Sequence, residues 1–482
     1  MHNVRITMWL FLFLPLMLIP ALMLGWGTNN RTDPFPLYTA LDPHTFNTTR
    51  HRQIIHGRPI DKAPPEWVTL SLTAFGQAAD STRVPCGGSV GPSPTLEPTC
   101  VDIPLGDIDG RWDMIALLYG RLPRDQTLGP ILTEAFQALF PELQPGQIDD
   151  DLAFDIDQVF YRRSSNQTFG FFSNALKYRK YGVRWDFEAQ LICDFGFQFQ
   201  GGLADITQTL TRRLDLTDSC TFLELDDCNP TIITGKQVKR FLMDKVNDIG
   251  RELCLDVCSF HEISLEDLYF CLYWRHAHEI NFTRDPSWAR FLVIPFIRIA
   301  GSAPSGRTKD QAVMFSVPFG NNGHPSINAN AGINIDFTET IEIGGEVGYS
   351  HFFARDICGM HIPTSTYQTG IFPFKATVNV QPGDTWYAAG KLSAYHFIDR
   401  LNFWAQWVLV KHKPDTIRLL DCDPAFITAK CPTSEWYVQF INAAFTYDCS
   451  PNISLGAAWQ FPIKWERAYK SNTVLFSFIA SF

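Results

Sequence analysis

Charged side chains fall at alternate positions in two parts of this sequence. Arg184, Asp186, Glu188 and Asp194 occupy even positions of residues 183–200, while Val183, Trp185, Phe187, Leu191, Phe195, Phe197 and Phe199 occupy odd ones. Asn334, Asp336, Glu342 and Glu346 alternate with Ile333, Ile335, Ile341 and Ile343, and Lys391 sits in a similar run further on. Charged groups on one face of an extended chain need water on that face. Six carboxylates against two cations there would line an aqueous wall and bias it towards cations.

Other constellations point to less chemistry. Cys254, Cys258 and His261 have loose metal-ligand spacing, with His276, His278 and Glu279 further on, but exported cysteines favour disulfides over metal. His324, Pro325 and Ser326 resemble the His-x-Ser pair of outer-membrane phospholipases. Pro325 breaks the strand between the pair, and Asn334 shares a face with Ser326 that the phospholipase site does not use. No nucleophile elbow, P-loop or dinucleotide glycine fingerprint occurs. We therefore expect no enzyme, no cofactor and no metal. Lys177, Arg179, Lys180 and Arg184, interleaved with Tyr178 and Tyr181, form a basic cluster that could meet lipid phosphate.

The elements that must position the charges are strands, because alternation with period two is a strand signal. Residues 183–200 read as one long strand in which Ile192 is the single exception. Further strands read at 66–77, 288–301, 327–337, 341–351, 385–397, 401–411, 436–447, 453–461 and 472–482, and 167–181 could add another. Pro295 counts against 288–301, since proline cannot donate to a ladder. Short connections alternate with long ones, as in barrels with short turns at one end and long loops at the other. Residues 203–287 read differently: Val238, Phe241, Leu242, Val246, Ile249 and Leu253 follow helical spacing, and Ser264 with Asp267 looks like a capping box ahead of Leu265, Leu268 and Leu272. With 183–200 counted as a single strand, both ends of this insertion fall on the short-turn, periplasmic side, where it would hang free or plug the barrel.

The N-terminus reads as a targeting segment. Arg5 precedes a nearly unbroken apolar run from Met8 to Gly25, with a cut expected after Gly27. Twelve cysteines on an exported chain fit an oxidising compartment. Cys86 with Cys100, Cys220 with Cys228 and Cys422 with Cys431 are the pairs cheapest to close. A net charge of −10 argues against nucleic acid as a partner.

The chain end carries a resemblance. In the last segment Val474, Phe476, Phe478, Ala480 and the terminal Phe482 alternate, which is similar to the C-terminal signature of Gram-negative outer-membrane β-barrel, porin-like proteins. That resemblance implies the bacterial outer membrane, its lipid and the barrel-assembly machinery, which reads the signature. The expectation is an all-β transmembrane antiparallel β-barrel of about 10 to 12 strands with a helical insertion. Its parts are a signal peptide (1–27), a periplasmic segment (28–65), first barrel strands with a long extracellular loop (66–202), the insertion (203–287) and the remaining strands (288–482). The expected function is a channel for passive diffusion of small hydrophilic solutes, weakly cation-preferring. The rival is a structural or adhesive surface protein whose closed barrel anchors disulfide-linked loops.

Overall fold

A computed structural model of the chain describes residues 68–83, 102–107, 112–149, 151–153, 171–191, 194–216, 230–280, 291–337, 340–368, 370–398, 400–421, 423–427, 430–431, 434–450 and 452–482. The expected signal peptide lies outside them, as do Cys86, Cys100, Cys220, Cys228 and Cys422. Of Cys431 only the backbone strand is described.

Twelve antiparallel strands close into a barrel. They are β1 (Val68–Ala79), β2 (Phe171–Gln190), β3 (Phe195–Asp215), β4 (Leu268–Arg275), β5 (Phe291–Ala303), β6 (Ser326–Phe337), β7 (Ile341–Phe352), β8 (Thr385–Ile398), β9 (Leu401–His412), β10 (Trp436–Ser450), β11 (Ile453–Glu466) and β12 (Asn472–Ser481). Each pairs with its neighbour in sequence, and β12 returns to β1 with Thr69 opposite Ser481. Beyond that strand, Phe482 and Val68 exchange backbone hydrogen bonds of 2.9 and 3.2 Å. Closure leaves no sheet edge without partners, as a strand structure within lipid requires.

Outward positions are apolar and exposed: Leu70 and Leu72 on β1, Ile333 and Ile335 on β6, Trp407 on β9, Phe476 and Phe478 on β12. Inward positions alternate with them and are buried, as with Asn328, Asn330, Asn334 and Asp336 on β6. An apolar exterior around a largely polar interior is the layout of an outer-membrane barrel. Among the described residues no helix is long and apolar enough to cross a membrane.

The structure corrects the expected layout between residues 183 and 287. Residues 183–200 are not one strand but two, β2 and β3, joined at 191–194. Leu191 donates its N–H to the Phe195 carbonyl at 2.7 Å, and Asp194 takes a left-handed backbone (φ 65°). The connection has an even number of residues, so the alternation passes through it unbroken. Ile192, the lone exception, falls within it.

The expected helical insertion is partly strand. Helices occupy Pro230–Asp244 (α2) and Val246–Glu252 (α3), while β3 runs on to Asp215. The capping-box segment is also extended: Phe260–Leu265 pairs with β3 and leads into β4. Leu203 faces Leu265 but Gln200 faces Tyr269, so this side carries one extra residue, a β-bulge at Glu266–Asp267. The bulge makes Leu265, Leu268 and Leu272 mimic helical spacing. Because 183–200 holds two strands, α2 and α3 lie at the long-loop end, opposite to the side expected. Pro295 does stand inside a strand. Its neighbour's ladder is interrupted at residues 276–277, yet Phe296–Arg275 and Val293–His278 keep one register across the gap. One bond is lost and the pairing survives.

Candidate functional site

The lumen is built in two layers. Towards the short turns its wall is polar. β7 places Glu342 inward, β8 aims Lys391 and Tyr395 at it, and all three are buried. Lys391 Nζ forms an ion pair with Glu342 Oε1, and the Tyr395 hydroxyl donates to Glu342 Oε2 at 2.9 Å. Asn334, Asp336 and Glu346 point inward beside them from β6 and β7.

A second charged group lies across the barrel on β2. Arg184 grips Glu266 through Nε at 2.6 Å and a terminal nitrogen at 2.8 Å, a two-pronged contact suited to the guanidinium fork. Lys180 reaches the same carboxylate at 2.7 Å. Glu266 stands on the bulge, opposite the side-chain-free Gly202, which leaves room for it. Asp186 accepts two hydrogen bonds of 3.0 Å from Gln198, and Glu188 accepts one from the Tyr273 hydroxyl.

Two inward tyrosines lie flat on the wall instead of across the bore. Tyr273 covers Gly196 and Tyr387 covers Gly348, and a methyl group at either glycine would overlap the ring. Glycine is needed at both places for the close approach.

Towards the long loops the lumen becomes apolar and filled. The β1–β2 connection contributes helix α1 (Pro130–Leu139) and the segment Trp112–Tyr119, and the β3–β4 connection contributes α2 and α3. Phe136, Leu132, Leu242 and Ile249 are wholly buried in one core with inward wall residues Phe75, Tyr178, Ile206 and Leu475. Glu252 of α3 accepts the N–H of Ile131 at 2.8 Å, bridging the helices at the positive end of α1. A four-stranded sheet (Arg355–Ile362, Phe374–Gln381, Asp415–Leu419 and Lys430–Cys431) adds its own core of Ile362, Phe374, Val378 and Val380. The loops thus form a cap whose core is continuous with the inner wall.

Most of the residues singled out for the wall are therefore brought inward: Arg184, Asp186, Glu188, Asn334, Asp336, Glu342, Glu346 and Lys391. Asp194 is not. It sits in the β2–β3 turn, about half exposed, 2.5 Å from His276 Nδ1. The basic cluster is divided by the strand's alternation: Lys180 and Arg184 face inward, Lys177 and Arg179 outward. Sequence reasoning missed Glu266, hidden by the bulge, and Arg298, which faces inward from the mostly apolar β5. Cys254 and Cys258 are exposed free thiols, and no group of three metal-ligating side chains occurs among the described residues. Ser326 and Asn334 share the inward face of β6 but stand eight residues apart, beyond each other's reach.

No family model and no curated protein matches the sequence. Among solved structures, an outer membrane channel from Pseudomonas putida F1 aligns at 9% identity over 88% of this chain and 99% of that one, with a TM-score of 0.43. The translocator domain of the autotransporter NalP from Neisseria meningitidis aligns at 7% identity over 90% and 95%, with a TM-score of 0.31. The NanC porin aligns at 8% identity over 63% and 93%, with a TM-score of 0.28.

Proposed function

We propose that this barrel is an outer-membrane, porin-like channel for passive diffusion of small hydrophilic solutes, narrowed at its outer mouth by the loop cap. The observation that carries the reading is the polar, charged wall of the lower lumen, where inward tyrosines are laid against glycines rather than across the bore. A closed anchor would gain more from apolar residues at those positions, since buried charge is costly without water.

A weak preference for cations belongs to this reading. Between the two mouths, the inward carboxylates Asp186, Glu188, Glu266, Asp336, Glu342 and Glu346 outnumber Lys180, Arg184, Arg298 and Lys391. Much of that charge is neutralised in pairs, so the preference is small. It is visible in dilute salt and fades as the screening length shortens from about 10 Å at 0.1 M. Insertion through the assembly machinery depends on the alternating end segment Phe476, Phe478 and Phe482.

The second reading, a barrel that only anchors surface loops, draws on the cap core, which is continuous with the wall. Single-channel recording in planar bilayers separates the two. The intact chain passes a small current, and replacing residues 230–252 with a short linker raises it. A folded barrel silent in both forms would sink the channel and leave the anchor.

A further inference from the structure

We propose that the outward face of β2 and β3 at the long-loop rim binds the phosphates of an outer-leaflet glycolipid, lipopolysaccharide, through Lys177 and Arg179. This goes beyond the channel reading and does not depend on it.

The first support is height. Down the lipid-facing side of β2, Tyr181, Val183, Trp185, Phe187 and Ala189 form an unbroken apolar and aromatic row, and Arg179 and Lys177 stand immediately above it. From Ala189 to Arg179 is ten residues, about 25 Å along the membrane normal for a strand tilted by about 40°. That is the height of a barrel's apolar band, so Arg179 falls at the headgroup boundary. Opposite on the barrel, Lys411 stands ten residues beyond Leu401 on β9, at the same level.

The second support is composition. Register places Lys177 opposite Thr209 and Arg179 opposite Thr207, so two cations and two hydroxyls form a square on the outer surface. The next strand brings His261 opposite Thr207, held 3.0 Å from Asp205. Lys177 and Arg179 are both exposed and make no ion pair or hydrogen bond among the described residues. Two unpaired cations about 7 Å apart on one face repel each other and call for an anion between them. A phosphate accepts from a guanidinium fork, an ammonium and hydroxyls together. The chain as a whole is acidic, at −10, so general basicity does not explain the patch.

The test extracts the full-length protein from outer membranes in neutral detergent and measures co-purifying lipopolysaccharide per folded barrel. The double variant K177Q/R179Q retains roughly twenty-five-fold less, since each cation near an anionic surface is worth about a factor of five. R179K, which keeps the charge but loses the fork and leaves packing untouched, retains an intermediate amount. K411Q, at the same height but with its neighbouring cation Lys413 already 3.8 Å from Asp384, retains nearly the wild-type amount. Equal retention by wild type, R179K and the double variant, each confirmed as folded by heat modifiability, overturns the proposal. Inorganic phosphate co-purifying in place of the glycolipid, and lost in the double variant, also overturns it, because the site would then serve free phosphate.

Discussion

The lower wall of the barrel and the cap above it are both buried, yet they are stabilised in different ways. In the lower wall each residue's neighbours are fixed by strand pairing: Asp336 faces Glu342 and Asn334 faces Gly344 because β6 and β7 share a register set by a short turn. In the cap, Phe136 shares a core with Ile206 and Leu475 only because five separate connections converge on the same mouth. Hydrogen-bond ladders hold the first, and apolar burial holds the second. Damage to the cap should therefore leave the barrel standing.

The largest effect comes from Phe136→Ala. Removing a fully buried ring from the centre of the cap costs the cap about 3–5 kcal/mol. Protease cleavage within 112–149 accelerates, while heat modifiability of the barrel is unchanged. Simultaneous loss of both would mean that cap and barrel fold as a single unit.

The wall itself is probed by Ile333→Arg. Ile333 faces lipid, and a cation there costs about 2–4 kcal/mol near the bilayer midplane. Asn334→Ala, one residue along and inward, costs about 1 kcal/mol or less. Urea titration of the folded fraction in vesicles measures both, and equal costs would refute the face assignment.

Legibility followed the same division. The strands from β6 to β12 could be read because local hairpins preserve alternation and put turn-forming residues between runs. The hairpin of β2 and β3 was read as one strand because its connection keeps parity and carries no glycine or proline. Glu266 was hidden because one extra residue turned a strand pattern into a helical one. The inward charges were legible one by one, but their pairing was not: nothing local to Arg184 announces Glu266, eighty-two residues away. Helical spacing revealed α2 and α3, yet their side of the membrane depended on a strand count that one concealed turn reversed.

Gly348→Ala sharpens the contrast inside the lumen. A methyl group there pushes the Tyr387 ring off the wall, costing about 1–3 kcal/mol of packing strain. Single-channel conductance falls, because the displaced ring enters the bore. An unchanged current would place the limiting constriction in the cap rather than at this level.

The smallest effect is a pH dependence confined to the cap. His361, on the edge strand Arg355–Ile362 of the cap sheet, is held neutral: burial lowers its pKa from the ordinary 6.5 to about 4. Lys375 and Lys309 push the same way, and the Phe372 carbonyl, accepting from Nδ1 at 2.7 Å, opposes them. An unfolded cap takes up the proton first as pH falls. The stabilising contribution is therefore complete above about 6.5, declines between 6.5 and 4, and is spent below 4. Acidification through this window should therefore loosen the cap. Limited proteolysis across this range reads the loosening as faster cleavage within 353–384. His361→Gln can still donate to the Phe372 carbonyl but does not titrate, and it should flatten the profile. A wild-type profile already flat, or one that His361→Gln leaves as steep, would show that another group governs the acid response of the cap.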